Sequence, residues 1–222
     1  MRSMAEISRI ASGRKGGTAA LELLLSRPLS SRKIRKIPDD RWLSEMSKCI
    51  FQAGFNWQLI ENKWKRFEEV FESFNVGRWR MMSDDDLDRL LKTEGIVRNV
   101  VKIRSVRENA SFLKEIDDVY GSVGDYFAAW VPSEFCSNLR ELQKKSSRLG
   151  GKTGQVFLQR MGVDAIAFTP DVIKALQREG IVDRIPGSNK DWVALQAAID
   201  IWCNQSDRSL TEISQILAFS VD

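Results

Sequence analysis

The sequence predicts an all-α protein, and three observations predict it. Apolar residues recur at three- and four-residue steps through most of the chain, the period of a helix with one buried face. Ser, Thr and Asn stand where those periodic segments begin, as helix caps do. No alternating, β-branched stretch competes with them.

Taken in order, the elements read as follows. Residues 1–36 carry the weakest pattern: Ala19–Leu25 reads as one helix, and the first dozen residues are expected to be mobile. Ile60, Trp64, Phe67, Phe71 and Phe74 form one apolar stripe along a helix capped by Asn56. Ser83-Asp84-Asp85-Asp86 is a capping sequence for a helix carrying Leu87, Leu90 and Leu91. From Val97 to Leu113 the buried face is Val100, Ile103, Val106, Ala110 and Leu113, which leaves Arg98, Lys102, Arg104 and Arg107 on the surface. Ser133-Glu134 begins a helix that ends near Ser147, Gly150-Gly151 breaks the chain, and Lys152–Met161 is helical again. Thr169-Pro170-Asp171 starts a helix with Pro at its first position, ending before Gly180. Pro186-Gly187-Ser188 separates it from a helix holding Trp192 and Trp202, and Ser209 with Glu212 boxes the start of the last one. No repeat of fixed period is present.

Composition narrows the chemistry. A chain of 222 residues buries a real core as one domain or two small lobes. No apolar run reaches the roughly 18 residues that span a bilayer, and the start lacks the apolar core of a signal peptide, so a cytoplasmic protein away from membranes is expected. Cys49, Cys136 and Cys203 are odd in number and far apart, which argues against a disulfide framework. Histidine is absent. That excludes histidine general bases, Ser-His and Cys-His nucleophiles and most zinc sites. No metal and no other cofactor is expected. The net charge of +4 is a mild basic bias, bunched at Arg32–Lys36 and at Lys144, Lys145, Arg148 and Lys152. Such bunching fits phosphate contact, and equally a solvated face.

The segment Arg148-Leu149-Gly150-Gly151-Lys152 opens a helix with a glycine turn. Backbone N–H groups at such a start, added to the positive end of the helix dipole, bind an anion such as a phosphate, with Lys145 and Lys152 as further charges. A plain tight turn between two helices would look the same. Upstream, Cys-Ile-Phe-Gln-Ala-Gly-Phe-Asn-Trp at 49–57 ends a helix in aromatics, where Phe55 and Trp57 either close a helix pair or stay available for a ligand.

An aromatic helix end, the basic Gly-Ile-Val-Arg-Asn-Val-Val-Lys-Ile at 95–103, the glycine hairpin at 148–154 and Thr-Pro-Asp-Val at 169–172 occur in that order. Together they resemble the helix-hairpin-helix DNA glycosylases, most closely the DNA-3-methyladenine glycosylase I family. The resemblance covers roughly residues 37–180 and is closest over 49–113. It implies a two-lobed helical fold: one lobe from 37 to 160 with the hairpin, the other from 1–36 and 161–222, with an extruded base between them.

The resemblance also implies roles. Trp57 matches the family's stacking tryptophan, and Gln52 and Phe55 fall where such enzymes plug the duplex left by the flipped base. Arg148, Leu149, Gly150, Gly151 and Lys145 would hold DNA phosphates. Asp171, nineteen positions after Lys152, falls where the superfamily places a carboxylate that stabilises the sugar cation; the helix dipole favours an aspartate there regardless. Lys152 matches the lysine that attacks the sugar in strand-cutting relatives, or else contacts phosphate. Two departures stand out. The family's base-reading glutamate, eight positions before the tryptophan, is Cys49 here, leaving Glu45 one turn earlier as its substitute. The bacterial family's zinc site also loses its histidines.

The implied activity is hydrolysis of the N-glycosidic bond of alkylated purines, 3-methyladenine foremost, in base excision repair, by a monomer acting on double-stranded DNA. The alternatives are a bifunctional glycosylase and lyase using Lys152, and a non-catalytic helix-hairpin-helix DNA-binding protein.

Overall fold

The computed structural model describes all 222 residues, 69 % of them helical, and contains no strand, as the apolar periodicity predicts. The helices are α1 (Met4–Lys15), α2 (Thr18–Leu24), α3 (Ser31–Ile34), α4 (Asp39–Gln52), α5 (Trp57–Val70), α6 (Val76–Trp79) and α7 (Asp84–Lys92). They continue with α8 (Val100–Tyr120), α9 (Val123–Ala128), α10 (Phe135–Lys145), α11 (Lys152–Arg160), α12 (Pro170–Arg178), α13 (Asn189–Gln205) and α14 (Leu210–Phe219). None is long and apolar enough to cross a membrane. The chain divides into two compact units. A terminal unit holds Met1–Leu29, Trp130–Arg140 and Gly162–Asp222; a mid-chain unit holds Ser30–Ala129 and Glu141–Met161, so the division passes through α10.

In the terminal unit, the expectation of a mobile start is overturned. Ser3 and Glu6 form a capping box, and Met4, Ile7 and Ala11 are buried along α1, which packs on α2, α13 and α14. Polar anchors join the two ends of the chain: Arg2 donates through its backbone N–H at 2.8 Å and Nη1 at 3.0 Å to Glu179, and the Trp202 indole donates to Arg2 O at 3.1 Å. A short apolar segment without strong periodicity is thus ordered by long-range partners that local pattern does not reveal. The capping box at Ser209 and Glu212 forms as expected, and Asp164 adds a second cap, accepting from the N–H groups of Leu210 and Thr211.

In the mid-chain unit, α4 lies at the centre, with Trp42, Leu43, Met46, Ile50 and Phe51 all buried and with α5, α8, α9 and α11 packed around it. The aromatic stripe predicted as one helix is interrupted. Helix α5 stops at Val70, and Glu72, Ser73 and Phe74 take left-handed φ values of 50°, 55° and 58°. Folding the stripe back stacks Phe74 on both Trp64 and Phe71, at centroid distances of 5.3 and 5.1 Å, contacts that a straight helix could not make together. Arg41 fixes the reversal, donating to Ser73 O at 2.7 Å and through both Nη groups to Glu68.

Helix α8 starts at Val100 behind the cap Asn99, not at Val97, and Val100 itself is exposed. Lys102, expected on the surface, is buried. Its neighbours on the buried face are Val106, Asn109 and Leu113.

Glu68 is partly buried, which disfavours its charge, but hydrogen bonds from Arg41 and Ser44 outweigh that and hold its carboxyl below the usual value of 4.5. A carboxylate so depressed adds stability above its unfolded-state pKa and loses it as pH falls through the folded one. Glu68→Gln is expected to lower stability at pH 7 by about 1–2 kcal/mol. In urea titrations the gap to the unsubstituted protein should close progressively below pH 4.5.

Candidate functional site

The site in the mid-chain unit is built on the last two turns of α4 and the turn that follows. Glu45, Cys49 and Gln52 share one face of α4, spaced one turn apart. The chain then leaves the helix at Ala53, and Asn56 caps α5 by accepting from Leu59 N–H at 3.2 Å. This short turn leaves Phe55 40 % and Trp57 49 % exposed. Trp57 is therefore available to a ligand and is not one of the packed aromatics of the core.

Arg160, the last residue of α11, closes the site. Its Nη1 donates to Glu45 Oε1 at 3.1 Å and Gln52 Oε1 at 2.7 Å, and lies 3.7 Å from Cys49 Sγ. The guanidinium lies over the Trp57 ring, Cζ 4.8 Å from its centroid, a cation–π arrangement. A planar cation thus rests on the exposed indole with a carboxylate beside it. Neither Arg160 nor this contact is foreshadowed by the sequence, because the partners lie about a hundred positions apart.

Cys49 is 4 % exposed; burial first, then the Glu45 charge, pushes its thiol up to about 12. It is a neutral group, so Glu45 supplies the only carboxylate that touches Arg160. Gln52 requires a correction. Expected at the duplex-facing tip, it is 2 % exposed and its amide is engaged by Arg160, with Nε2 directed to Glu61 at 3.5 Å. Of the two expected plug residues, only Phe55 reaches the surface.

Lys102 shapes that tip. Its Nζ donates to Phe51 O at 3.1 Å and Ala53 O at 2.6 Å and lies 4.4 Å from the Phe55 centroid. Burial, with Arg148 nearby, pulls its pKa below the ordinary lysine value. Position was the available signal: Lys102 is one turn before Val106, already assigned to the buried face.

The glycine hairpin forms between α10 and α11. Asn109 clamps its first residue, donating to Ser147 O at 3.1 Å and accepting from Ser147 N–H at 2.8 Å. Arg148 has φ 60°, Leu149 is fully buried, and Gly151, with φ 55°, stands at the start of α11, where no side chain caps the helix. Gly150, Gly151 and Lys152 are exposed. Lys145, expected to add charge beside Lys152, is ion-paired with Glu141 at 2.5 Å. The tightest point is Gly154, which the sequence reading passed over: a Cβ there would stand 2.3 Å from Leu149 O. Asp171 belongs to the terminal unit. It is exposed at the second position of α12, behind Thr169, whose side chain caps the helix, and no hydrogen bond or ion pair engages its carboxylate.

A sequence model of the methyladenine glycosylase family matches residues 36–183, more than half of the chain. The chain belongs to this family. It is accordingly a DNA glycosylase, an enzyme of base excision repair. Among solved structures, a single-residue variant of a 3-methyladenine DNA glycosylase I in complex with 3-methyladenine is similar at 20 % identity with a TM-score of 0.52, covering 63 % of this chain and 81 % of that one. The Staphylococcus aureus 3-methyladenine DNA glycosylase I is similar at 20 % identity and a TM-score of 0.51, covering 63 % and 80 %. At that identity the likeness establishes the shared all-α fold. Both ends of this glycosylase lie beyond the matched segment.

Gly154→Ala is expected to destabilise the glycosylase by about 2–4 kcal/mol, because backbone must move to admit the methyl group. Gly150→Ala, with nothing within 4 Å of its Cβ and no positive φ, should change stability by less than about 0.5 kcal/mol. Urea denaturation of the two variants checks the contrast. The buried thiols of Cys49 and Cys136, both pushed up to about 12 chiefly by burial, should resist iodoacetamide at pH 8 in the native protein. Mass spectrometry should find them alkylated once urea unfolds the chain; rapid native labelling of Cys49 would contradict its burial.

Proposed function

We propose that the glycosylase removes alkylated purines from double-stranded DNA, with 3-methyladenine its principal substrate, as a cytoplasmic monomer. One observation carries this reading: the half-exposed Trp57 indole holds a planar cation, with the Glu45 carboxylate hydrogen-bonded to that cation. A purine methylated at N3 in DNA is itself a planar cation. It would gain the same stacking and cation–π attraction, and the same charge-assisted hydrogen bond.

The chemistry follows from the charge. An alkylated base is a good leaving group, since it departs with the glycosidic bond pair and becomes neutral. The positive charge moves to the sugar. Asp171, exposed and unengaged at the start of α12, is the carboxylate we assign to stabilising that cation and orienting the attacking water. Phe55 fills the space left in the duplex, and Lys102 beneath it keeps the tip rigid. The uncapped start of α11, with Gly150, Gly151, Arg148 and Lys152, takes DNA phosphate. The exposed position of Lys152, with Lys145 held by Glu141 instead of facing it, fits phosphate contact better than attack on the sugar.

Incubation with DNA treated with dimethyl sulfate, followed by chromatography, should release free 3-methyladenine. Trp57→Ala is expected to lower the rate about tenfold or more, through lost stacking. Asp171→Asn should lower it about a hundredfold while leaving binding to undamaged duplex intact. Salt-dependent DNA binding with no base released would overturn the enzymatic reading of this site.

A further inference from the structure

We propose that Arg160 is an internal competitor for the extruded base: its guanidinium occupies the Trp57 face and the Glu45 carboxylate until a base displaces it, and Glu45, once freed, reads the positive charge. The inference rests on the stacking role given above to Trp57.

Three features of the geometry support it. The guanidinium lies over the one exposed indole of the α4–α5 turn, so no base stacks on that face while Arg160 remains there. Its polar anchors are the Glu45 carboxylate and the Gln52 amide oxygen, both acceptors, which is the arrangement a cationic base with N–H donors would need. The tether is releasable, because Arg160 ends α11 and the Arg160–Glu45 pair is partly open to solvent, 28 % and 22 % exposed.

Displacement carries the same cost for every base, since it breaks the same contacts. That cost sets a threshold. A normal purine that reaches Trp57 replaces the stack but leaves the Glu45 carboxylate without a positive partner. An alkylated purine replaces both interactions. Arg160 therefore suppresses all occupancy of the site, and Glu45 restores it for cationic bases alone, doing from one turn earlier what the thiol of Cys49 cannot.

The test uses the intact protein and two nucleosides, 1-methyladenosine, a planar purine cation at neutral pH, and adenosine, its neutral counterpart. Binding is followed at the Trp57 indole N–H by nuclear magnetic resonance, with Trp57→Phe assigning the signal. Arg160→Ala should bind both nucleosides about tenfold more tightly than the unsubstituted protein. Arg160→Lys, which keeps the charge and the stem but loses the planar face, should fall between them. The double variant Glu45→Gln with Arg160→Ala should keep the tighter stacking and show a smaller preference for the cation than Arg160→Ala, retaining only the part that the Trp57 face supplies. Unchanged or weaker binding by Arg160→Ala, or none at the Trp57 signal, overturns the competitor. A cation preference as large in the double variant as in Arg160→Ala overturns the role of Glu45. Base release from methylated DNA separates this inference from the reading beneath it. Release together with unchanged affinity in Arg160→Ala sinks the competitor alone, whereas tighter binding without release sinks the substrate assignment alone.

Discussion

The mid-chain unit depends on how the C-terminal end of α4 is closed. A helix leaves its last four carbonyls without intrahelical donors, and α4 ends on the buried Phe51 and Gln52 just before the exposed turn that begins at Ala53. Lys102 reaches across from α8 to take Phe51 O and Ala53 O. This ammonium takes two carbonyls at the helix end, while Phe55 N–H donates to Gln52 O; it also favours the negative pole of the helix dipole and contacts the ring of Phe55. Because the end is held, the turn of residues 53–56 can be short. A short turn is what keeps Trp57 outside the core while Ile60, one turn later, is fully buried.

The same helix carries the polar side of the site. Glu45, Cys49 and Gln52 form one polar row on α4, and Cys49 and Gln52 are buried, which would be costly without partners. Arg160 supplies them with one guanidinium, and Lys48 pairs with Glu61 at 2.6 Å close by. A buried amide locked by a charged donor cannot also act as a probe at the surface, which is why Gln52 is part of the floor and not of the tip. The neutral thiol at Cys49 fits this floor, since a second carboxylate beside Glu45 would leave one negative charge unmatched.

The hairpin shows how a glycine motif is misread when only its turn is considered. Gly150 and Gly151 draw attention because they break helical periodicity, yet Gly150 meets nothing within 4 Å. The tight constraint falls four residues after Gly150, at Gly154, where α11 passes against the Leu149 carbonyl. Asn109 and the buried Leu149 complete the clamp from α8 and from the turn itself. None of these partners is local except Leu149, so only the packed structure separates the glycine that is required from the one that is tolerated.

The all-α class, the helix starts at Asn56, Ser83, Thr169 and Ser209 and the family likeness were legible in the chain, because caps, apolar period and short motifs are properties of neighbouring residues. Tertiary structure decided the rest. It ordered α1 through anchors at the far end of the chain, reversed the aromatic stripe after Val70, buried Lys102 and Gln52, and placed Arg160 on Trp57. Each of these outcomes is the satisfaction of a buried polar group or an exposed ring by a residue distant in sequence. Local spacing carries no record of such a partner, and only the folded chain brings the two together.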